Sequence, residues 1–334
     1  MLRREFLAAG GAAAALLVAG RRSAFAAVSP AKATVLRLGF SGGGQAAIGA
    51  GAIAFAKAVE SSCGGRVRVE LYPSGEAGGE VETFEDMRAG AFEMTCASSA
   101  GYASATPQLG IFDIPFLFRD VAHARGVLDG AIGRQALTLL EPLGLVGLAW
   151  AENGLRHVTT STRAVRSPAD LAGLKMRVPQ SPVMVAGFKA LGADVQSLPF
   201  PDLYAALASG QFQAQENPLA TIKDSRFDRV QKYVCLTGHV YSPAALIVTK
   251  AAFDALSPED AQALRNAAAV GAKASRETND KAEISAVNEL RDRGMTVVAD
   301  IDRAAFVTAL AGAQGEFEKR FGKDQIDAIR TWKE

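Results

Sequence analysis

The sequence is poor in the side chains that build metal sites and disulfide frameworks. It contains three cysteines, Cys63, Cys96 and Cys235, and three histidines among 334 residues. The cysteines are odd in number and far apart, and none belongs to a C-x-x-C or histidine-paired motif, so we expect neither a zinc site nor a disulfide framework. We expect most or all of the thiols to be free, and Cys96, which lies inside an apolar run, to be in the core.

The chain also lacks an excess of charge of either sign. Its 36 lysines and arginines against 35 acidic residues give a formal net charge of +1. A near-neutral protein has no electrostatic reason to bind nucleic acid or an acidic membrane surface. Neither an H-E-x-x-H motif nor a phosphate-binding G-x-x-x-x-G-K-[ST] motif occurs. A small molecule is therefore the expected ligand, and we expect no metal and no cofactor.

No segment is long and apolar enough to cross a bilayer. The apolar run 7–20 is shorter than the roughly 20 residues that a transmembrane helix requires, and two arginines at 21–22 close it. The arginine pair at 3–4 before this run and Ala-Phe-Ala at 24–26 after it are typical of a twin-arginine signal peptide over residues 1–26. We therefore expect an exported protein of the periplasm.

Removing these 26 residues from 334 leaves 308, enough for two lobes that each have a core. Strand-like runs alternate with amphipathic ones, as in an α/β protein. Three Ser-Pro pairs each place a capping hydroxyl before a proline and so predict helix starts at Ser167, Ser181 and Ser257. The predicted extended runs are 35–40, 66–72, 175–179, 195–199 and 212–217.

The longest predicted helix runs from the cap at Ser257 to Gly294. At about 1.5 Å per residue it would measure on the order of 50 Å, which is longer than one lobe. Its ends are apolar but its middle, 273–281, is almost wholly polar. This pattern predicts a strut that crosses from one lobe to the other. The alternative is two ordinary helices with an unmarked break near Gly271.

Two lobes joined by a strut imply a cleft, and ligands of α/β sheets lie beyond the carboxyl ends of the strands. Arg177, Phe200 and Asn217 lie at or just after the ends of three short predicted strands, so we expect them at one edge of the sheet. A guanidinium matches the two oxygens of a carboxylate, an amide adds a donor and an acceptor, and a ring covers an apolar side. The trio therefore predicts a carboxylate site. The alternatives are that Arg177 pairs with a surface acid, that Asn217 caps a helix before Pro218, and that Phe200 belongs to the core.

A G-x-S-x-G motif at 39–43 favours a different interpretation, in which Ser41 is the nucleophile of a hydrolase. The chain order of such a triad is met by three later histidines, His123, His157 and His239. However, few residues separate the signal peptide from the first strand, whereas a nucleophile elbow lies deep in its sheet. We therefore expect the loop to be the lip of a binding cleft and keep the hydrolase as a remote alternative.

Six further stretches carry a family resemblance. They are WAENGLR (150–156), GLKMRVPQSP (173–182), FKALGA (188–193), PFPDLYAAL (199–207), QENPLATI (215–222) and GHVYSP (238–243). Together they resemble the solute-binding subunit of tripartite ATP-independent periplasmic (TRAP) transporters, of the C4-dicarboxylate-binding (DctP-like) type. The similarity runs in order from about residue 34 to near the C-terminus. It implies an α/β, two-lobed periplasmic binding protein (type II-like, hinged) with a long interlobe helix.

The resemblance also implies roles for particular residues. In that family the arginine of K-M-R-V-P clamps the ligand carboxylate, the asparagine of E-N-P bonds to it, and an aromatic residue packs on it. These positions are Arg177, Asn217 and Phe200 here. Arg156, the arginine of E-N-G-x-R, is implied as a second ligand contact, and a hinge ion pair with Glu152 is the alternative.

The same resemblance implies residues that support the binding residues and residues at the edge of the cleft. His239, like Glu152, is interpreted as a support behind the binding residues. Ser41 is close to a position that touches the ligand in the family, and the glycines after it suggest a roomier or less polar pocket than in many relatives. Ser98 is included among the binding residues. It stands where sialic-acid-binding relatives place an acid, so an amine- or glycerol-specific contact is not supported there.

The implied mechanism is capture without chemistry, so we do not expect an enzyme. A monomer would bind an organic acid, close over it, and deliver it to the small and large TRAP membrane subunits for uptake. A C4-dicarboxylate and a sugar acid both remain open as ligands. In the alternative function, the same fold is a ligand sensor that presents its closed form to a receptor kinase.

The expected division of the chain follows from these assignments. The segments are the signal peptide 1–26; lobe I, 27–153; lobe II, 154–242; a return to lobe I with the first part of the spanning helix, 243–280; and the rest of that helix with the C-terminal part of lobe II, 281–334.

Overall fold

The computed structural model describes residues 33–103 and 105–333, so the predicted signal peptide lies outside the described residues. The fold is mixed α/β, with a nine-stranded sheet and many helices. The strands are β1 Thr34–Gly39, β2 Val67–Tyr72, β3 Met94–Ser98, β4 Leu145–Thr160, β5 Lys175–Val178, β6 Asp194–Ser197, β7 Ala214–Pro218, β8 Tyr233–Thr249 and β9 Thr296–Val298. The helices are α1 Ala47–Ser62, α2 Glu80–Arg88, α3 Ser99–Tyr102, α4 Val121–Asp129, α5 Ala131–Thr138, α6 Pro168–Leu171, α7 Pro182–Ala190, α8 Leu203–Ala208, α9 Leu219–Asp224, α10 Lys250–Asp254, α11 Pro258–Asp292, α12 Arg303–Ala309, α13 Ala311–Phe321 and α14 Lys323–Arg330. Short 3₁₀ turns occupy Pro107–Asp113, Glu141–Leu143, Phe200–Asp202 and Phe227–Arg229.

One sheet runs through both lobes. Its strand order is β2-β1-β3-β8-β4-β7-β5-β6, with β9 beside β8. The two long strands, β4 and β8, are antiparallel neighbours in the middle. One end of β8 pairs with β3, while the far end of β4 pairs with β7 and that of β8 with β9. The first lobe is therefore built on β2-β1-β3 and the second on β7-β5-β6, and β4 and β8 join them.

Each lobe has its own hydrophobic packing. Phe55 and Phe112 represent the two clusters of the first lobe, and Phe188 and Phe227 those of the second. The C-terminal helices contribute to both lobes. Phe306 of α12 packs with Phe188, whereas Phe317 and Phe321 of α13 pack with Phe112.

Helix α11 is a single helix of 35 residues, and the two-helix alternative with a break near Gly271 is wrong. Ser257 caps it as predicted, because its side chain accepts a hydrogen bond from the Asp260 N–H. Gly271 serves close packing instead of a break. A Cβ at this position would lie 2.8 Å from the carbonyl oxygen of Gly51 in α1 and 2.9 Å from the Cβ of Phe55.

The polar middle of α11 lies on the strands that join the lobes. Ser275 Oγ accepts the Glu152 N–H, and Asn279 Nδ2 donates to the side chain of Glu152 and to the carbonyl of Asn153. Arg276 binds Asp129 through two hydrogen bonds of 2.7 Å. Towards its end the helix packs on the second lobe, where it shares a cluster with α9. The helix thus contacts both lobes, and its polar residues satisfy the backbone and side chains between them.

The described residues also contain the predicted helix starts and all three cysteines. The Ser-Pro helix starts at Ser167, Ser181 and Ser257 are confirmed. All three cysteines are free and buried, and Cys96 belongs to the core of the first lobe. Within 33–103 and 105–333, no helix is long and apolar enough to cross a membrane, and no group of His, Cys, Asp or Glu side chains could hold a metal ion.

Candidate ligand-binding site

A cavity lies between the two lobes. The first lobe contributes Ser41, Gly42, Ala46, Ile48, Glu80 and Ser98 to its lining, and the joining strands and second lobe contribute Asn153, Arg156, Arg177, Pro179, Phe200, Asn217 and Thr221. All six residues that the sequence predicted as ligand contacts are in this lining. The structure therefore brings them together across a chain distance of about half the protein.

Three of these six come from neighbouring parallel strands. β5 pairs in parallel with both β6 and β7, so the three carboxyl ends meet at one edge. Arg177 lies near the end of β5, Phe200 follows β6, and Asn217 lies near the end of β7. The geometry of the sheet, as reasoned from the strand ends, explains their convergence.

Arg177 is a buried cation with an unused face. It is 2% exposed, and its Nε and Nη2 donate to the carbonyl of Leu198 at 2.9 and 2.6 Å. Within the described part of the chain it makes no ion pair, which argues against the alternative of a surface acid as its partner, and Nη1 has no hydrogen-bond partner. Burial lowers the pKa of Arg177 to about 10, so it stays charged at neutral pH. Such a guanidinium can hold a carboxylate end-on.

Arg156 is also buried, but a carboxylate of the protein already neutralises it. Its Nε and Nη2 donate to Glu216 Oε2 and Oε1 at 2.5 and 2.8 Å, and Nη2 also reaches the Glu216 carbonyl. Burial alone would raise the pKa of Glu216, but the guanidinium of Arg156 reverses this and lowers it. The alternative pairing of Arg156 with Glu152 is wrong, because Arg156 binds Glu216, whereas Glu152 is bound by Arg125.

Glu152 instead joins the strands to the surrounding helices. It accepts hydrogen bonds from Arg125 Nε and the Tyr241 hydroxyl, both at 2.7 Å, and from Asn279. Its neighbour in the chain is Asn153, which does line the cavity. Glu152 therefore fixes the strand segment that carries Asn153.

His239 stands behind Arg156. Its Nε2 lies 3.1 Å from Glu216 Oε2 and its Nδ1 lies 2.7 Å from the Thr237 hydroxyl. Burial lowers the pKa of His239. The ring thus connects Thr237 to the carboxylate that neutralises Arg156.

The histidines do not support a Ser41 hydrolase. His239 is bound as described above, His157 Nδ1 accepts the Gly238 N–H, and His123 Nδ1 accepts the Arg119 N–H. Across the described ranges none of the three forms a hydrogen bond with Ser41, so no triad is assembled around this hydroxyl.

Three polar residues of the cavity were missed by sequence reasoning. Asn153 and Thr221 lie inside the WAENGLR and QENPLATI stretches, and Thr221 stands in the first turn of α9, directly after the strand end that carries Asn217. Glu80 has no motif of its own beyond the glycines before α2. Its carboxylate accepts the Ser98 N–H at 2.8 Å and the Ser98 hydroxyl at 2.5 Å. An acid therefore does stand beside Ser98, supplied by another element.

Two α/β lobes on one sheet, with a cavity between them and an unpaired buried arginine in it, define a solute-binding protein. Residues 44–320 match the family described as "Bacterial extracellular solute-binding protein, family 7" (DctP), and the chain belongs to this family.

Similar proteins support this assignment. A solute-binding protein of Verminephrobacter eiseniae is 44% identical over 298 residues, 89% of each chain. The 2,3-diketo-L-gulonate-binding periplasmic protein YiaO of Escherichia coli K12 is 38% identical over 74% of this chain and 75% of its own length. The crystal structure of a TRAP periplasmic solute-binding protein from Polaromonas sp. JS666, bound to D-erythronate, is 39% identical and covers 90% of this chain and 99% of that one, with a TM-score of 0.88.

Proposed function

We propose that this protein is the periplasmic solute-binding subunit of a TRAP transporter, which captures a small organic acid by its carboxylate and delivers it to the small and large membrane subunits. The observation that supports this most is Arg177: a fully buried guanidinium with an unused face in a cavity between two lobes. A buried charge without a counter-ion is costly. An anionic ligand supplies that counter-ion.

The other lining residues take complementary roles in this proposal. Asn217 bonds to the ligand and Phe200 packs on it, while Arg156 is a second contact held in place by Glu216 and His239. Ser41 and Ser98 face the ligand from the first lobe. Glu152 acts behind the site by fixing the joining strand.

We assign the described residues to lobes by the division expected from the sequence: those within 27–153 and 243–280 to the first lobe, and those within 154–242 and 281–334 to the second. In this division α11 belongs to both lobes. Phe306 of α12 lies in a core of the second lobe, whereas Phe317 and Phe321 of α13 lie in a core of the first, so the segment 281–334 contributes to both. The protein acts as an exported monomer. It captures its ligand without chemistry, and Ser41 is a contact and not a nucleophile.

The test is ligand-induced thermal stabilisation of the mature protein with a panel of mono- and dicarboxylates, followed by calorimetric titration of each hit. A ligand at 100 times its Kd should stabilise the folded state by about 2.7 kcal/mol. Arg177→Ala should abolish this shift, because the carboxylate loses its bidentate donor. Arg177→Lys should retain the charge and the fold but lose most of the affinity.

Arg68→Ala is the matched control, since Arg68 is an exposed arginine on β2, away from the cavity. Circular dichroism shows whether each variant folds. If Arg177→Ala folds and its ligand-induced thermal shift equals that of the wild type, the proposed function is contradicted.

A further inference from the structure

The cavity holds one carboxylate that the proposed function does not use. Glu80 begins α2 and faces the cavity from the first lobe, opposite the strands that carry Arg156 and Arg177. Its two oxygens accept the N–H and hydroxyl of Ser98. In the described residues it has no cationic partner, so a negative charge faces the ligand.

Of the two arginines that line the cavity, one already has its charge balanced by a carboxylate of the protein. Arg156 is neutralised by Glu216 through two side-chain hydrogen bonds. Within the described residues, Arg177 is the cavity arginine that no carboxylate pairs with directly, although Glu216 and Glu80 act on it through space. Among the described residues, the cavity thus has one cation without an ion pair, Arg177, and one such anion, Glu80.

This balance suits a ligand with one carboxylate. That group would pair with Arg177, and the carboxylate of Glu80 would still accept hydrogen bonds from ligand hydroxyls. Among the described residues a second carboxylate would find no further unpaired guanidinium in the cavity, and it would be enclosed with Glu80. Burying two like charges together is unfavourable.

The rest of the lining is also suited to hydroxyl groups. Ser41, Ser98, Asn153, Asn217 and Thr221 offer neutral donors and acceptors. The Asn153 amide is positioned by Ser242, and that of Asn217 by Gln215. Neutral polar groups can satisfy several hydroxyls without adding charge.

We propose that Glu80 determines the ligand class: it accepts hydrogen bonds from ligand hydroxyls and repels a second carboxylate, so the site selects a hydroxylated monocarboxylate over a dicarboxylate. This inference rests on the proposed function, because it assumes that Arg177 anchors a carboxylate. It chooses between the two ligand classes that the sequence leaves open.

The test compares three four-carbon acids that separate the groups involved. D-Erythronate has one carboxylate and three hydroxyls, butyrate has one carboxylate alone, and succinate has two carboxylates. Their affinities are measured by calorimetry for the wild type, for Glu80→Gln, and for Glu85→Gln as a charge-matched control on the exposed face of the same helix. Glutamine at 80 keeps an acceptor for the Ser98 N–H, so the variant should fold.

The wild type should bind D-erythronate at least about tenfold more tightly than either other acid. Glu80→Gln should lower the erythronate-to-succinate preference by about tenfold or more, because the repulsion of succinate and the charged acceptor are both lost. Glu85→Gln should leave the preference unchanged. D-Galactonate and adipate repeat the comparison with six carbons.

The outcomes separate this inference from the function on which it rests. A preference for succinate or adipate in the wild type, no binding of either hydroxy acid, or an unchanged preference in Glu80→Gln would overturn the role of Glu80. If Arg177→Ala still abolishes binding of the preferred acid in those cases, the proposed function stands. Unchanged binding by Arg177→Ala overturns both.

Discussion

The carboxylate of Asp224, at the end of α9 in the second lobe, lies directly against Gly43 in the first. A Cβ on Gly43 would lie 2.2 Å from Asp224 Oδ2. Burial raises the pKa of Asp224 and the N–H of Ala46 opposes that shift. Ala46 is the N-cap of α1 and has no side-chain cap of its own. The second lobe therefore places a carboxylate beside the loop that leads into α1 of the first, where the Ala46 N–H donates to the Gly43 carbonyl, and the absence of a side chain at 43 makes room for it.

Gly43→Ala should weaken this contact between the lobes. The added methyl overlaps Asp224, and overpacking of this kind costs about 1–3 kcal/mol. We expect a larger radius of gyration by small-angle scattering and a weaker response to D-erythronate. Gly44→Ala is the control in the same loop, because its methyl would meet only the end of Ile53, at 3.3 Å. Equal behaviour of the two variants would argue against the contact.

Gly271→Ala should destabilise the protein although alanine favours helix. The methyl would overlap the Gly51 carbonyl and Phe55, at a cost of about 1–3 kcal/mol against a gain of about 1 kcal/mol in helix propensity. Gly315→Ala in α13 would meet no atom of the described residues within 4 Å and should stabilise the protein. Urea denaturation measures both. If Gly271→Ala is more stable than the wild type, α1 and α11 can move apart enough to accept the added methyl group.

Glu216→Gln should cost about 3–5 kcal/mol of unfolding free energy, because it leaves the buried Arg156 without its counter-charge. Adding Arg156→Met removes the unpaired charge and should recover much of the loss. Chemical denaturation of the wild type, the single variant and the double variant checks this. A double variant no more stable than Glu216→Gln would mean that packing, and not charge, holds this part of the site.

Asp113 should make the free energy of unfolding depend on pH between its ordinary pKa of 3.8 and its raised pKa of about 6. It accepts hydrogen bonds from Ser99 and Ser181, but burial dominates and raises its pKa from 3.8 to about 6. Between about pH 4 and 6 the folded state therefore binds more protons than the unfolded chain. This contribution stabilises the folded state at low pH and is lost as pH rises through 6, by about 3 kcal/mol in all.

Asp113→Asn removes that contribution. Other acids, such as Glu216 with its lowered pKa, act in the opposite direction, so the difference between wild type and variant is the informative quantity. Urea denaturation at a series of pH values gives the unfolding free energy of both proteins. From about pH 4 to about pH 7 this free energy should fall in the wild type relative to Asp113→Asn. Parallel curves for the two proteins would rule out a raised pKa at Asp113.

The features that the sequence predicted are those with local signals. Ser167, Ser181 and Ser257 each cap a helix through a hydrogen bond to a residue three positions further along the chain. Arg177 and Asn217 were found because a proline after each marks the end of its strand. In these cases the deciding contacts lie within a few residues of the signal.

The long strands were not predicted, because their signals contradict their structure. Gly154 and Gly238 have positive φ angles of 130° and 52°, and Pro243 lies inside β8. Such residues are typical of turns, and only the pairing of β4 with β8, with bulges, makes them part of strands. This pairing joins parts of the chain that no local pattern connects.

The number of unpaired charges in the site was not predicted either, because it also depends on contacts between distant parts of the chain. Arg156 and Glu216 are 60 residues apart in the chain, and the strand register decides that they meet. Glu80 reaches the cavity only because α2 packs beside β3, where Ser98 binds it. Residue types could indicate a carboxylate site, but the number of free charges in it required the fold.

The way the chain crosses between the two lobes affects how the protein folds. Neither lobe is one uninterrupted piece of chain, and contacts such as Arg66 with Asp260 join residues 194 positions apart. Contacts between such distant residues slow folding. We therefore expect that neither lobe would refold after excision and that the two melt together in one cooperative transition.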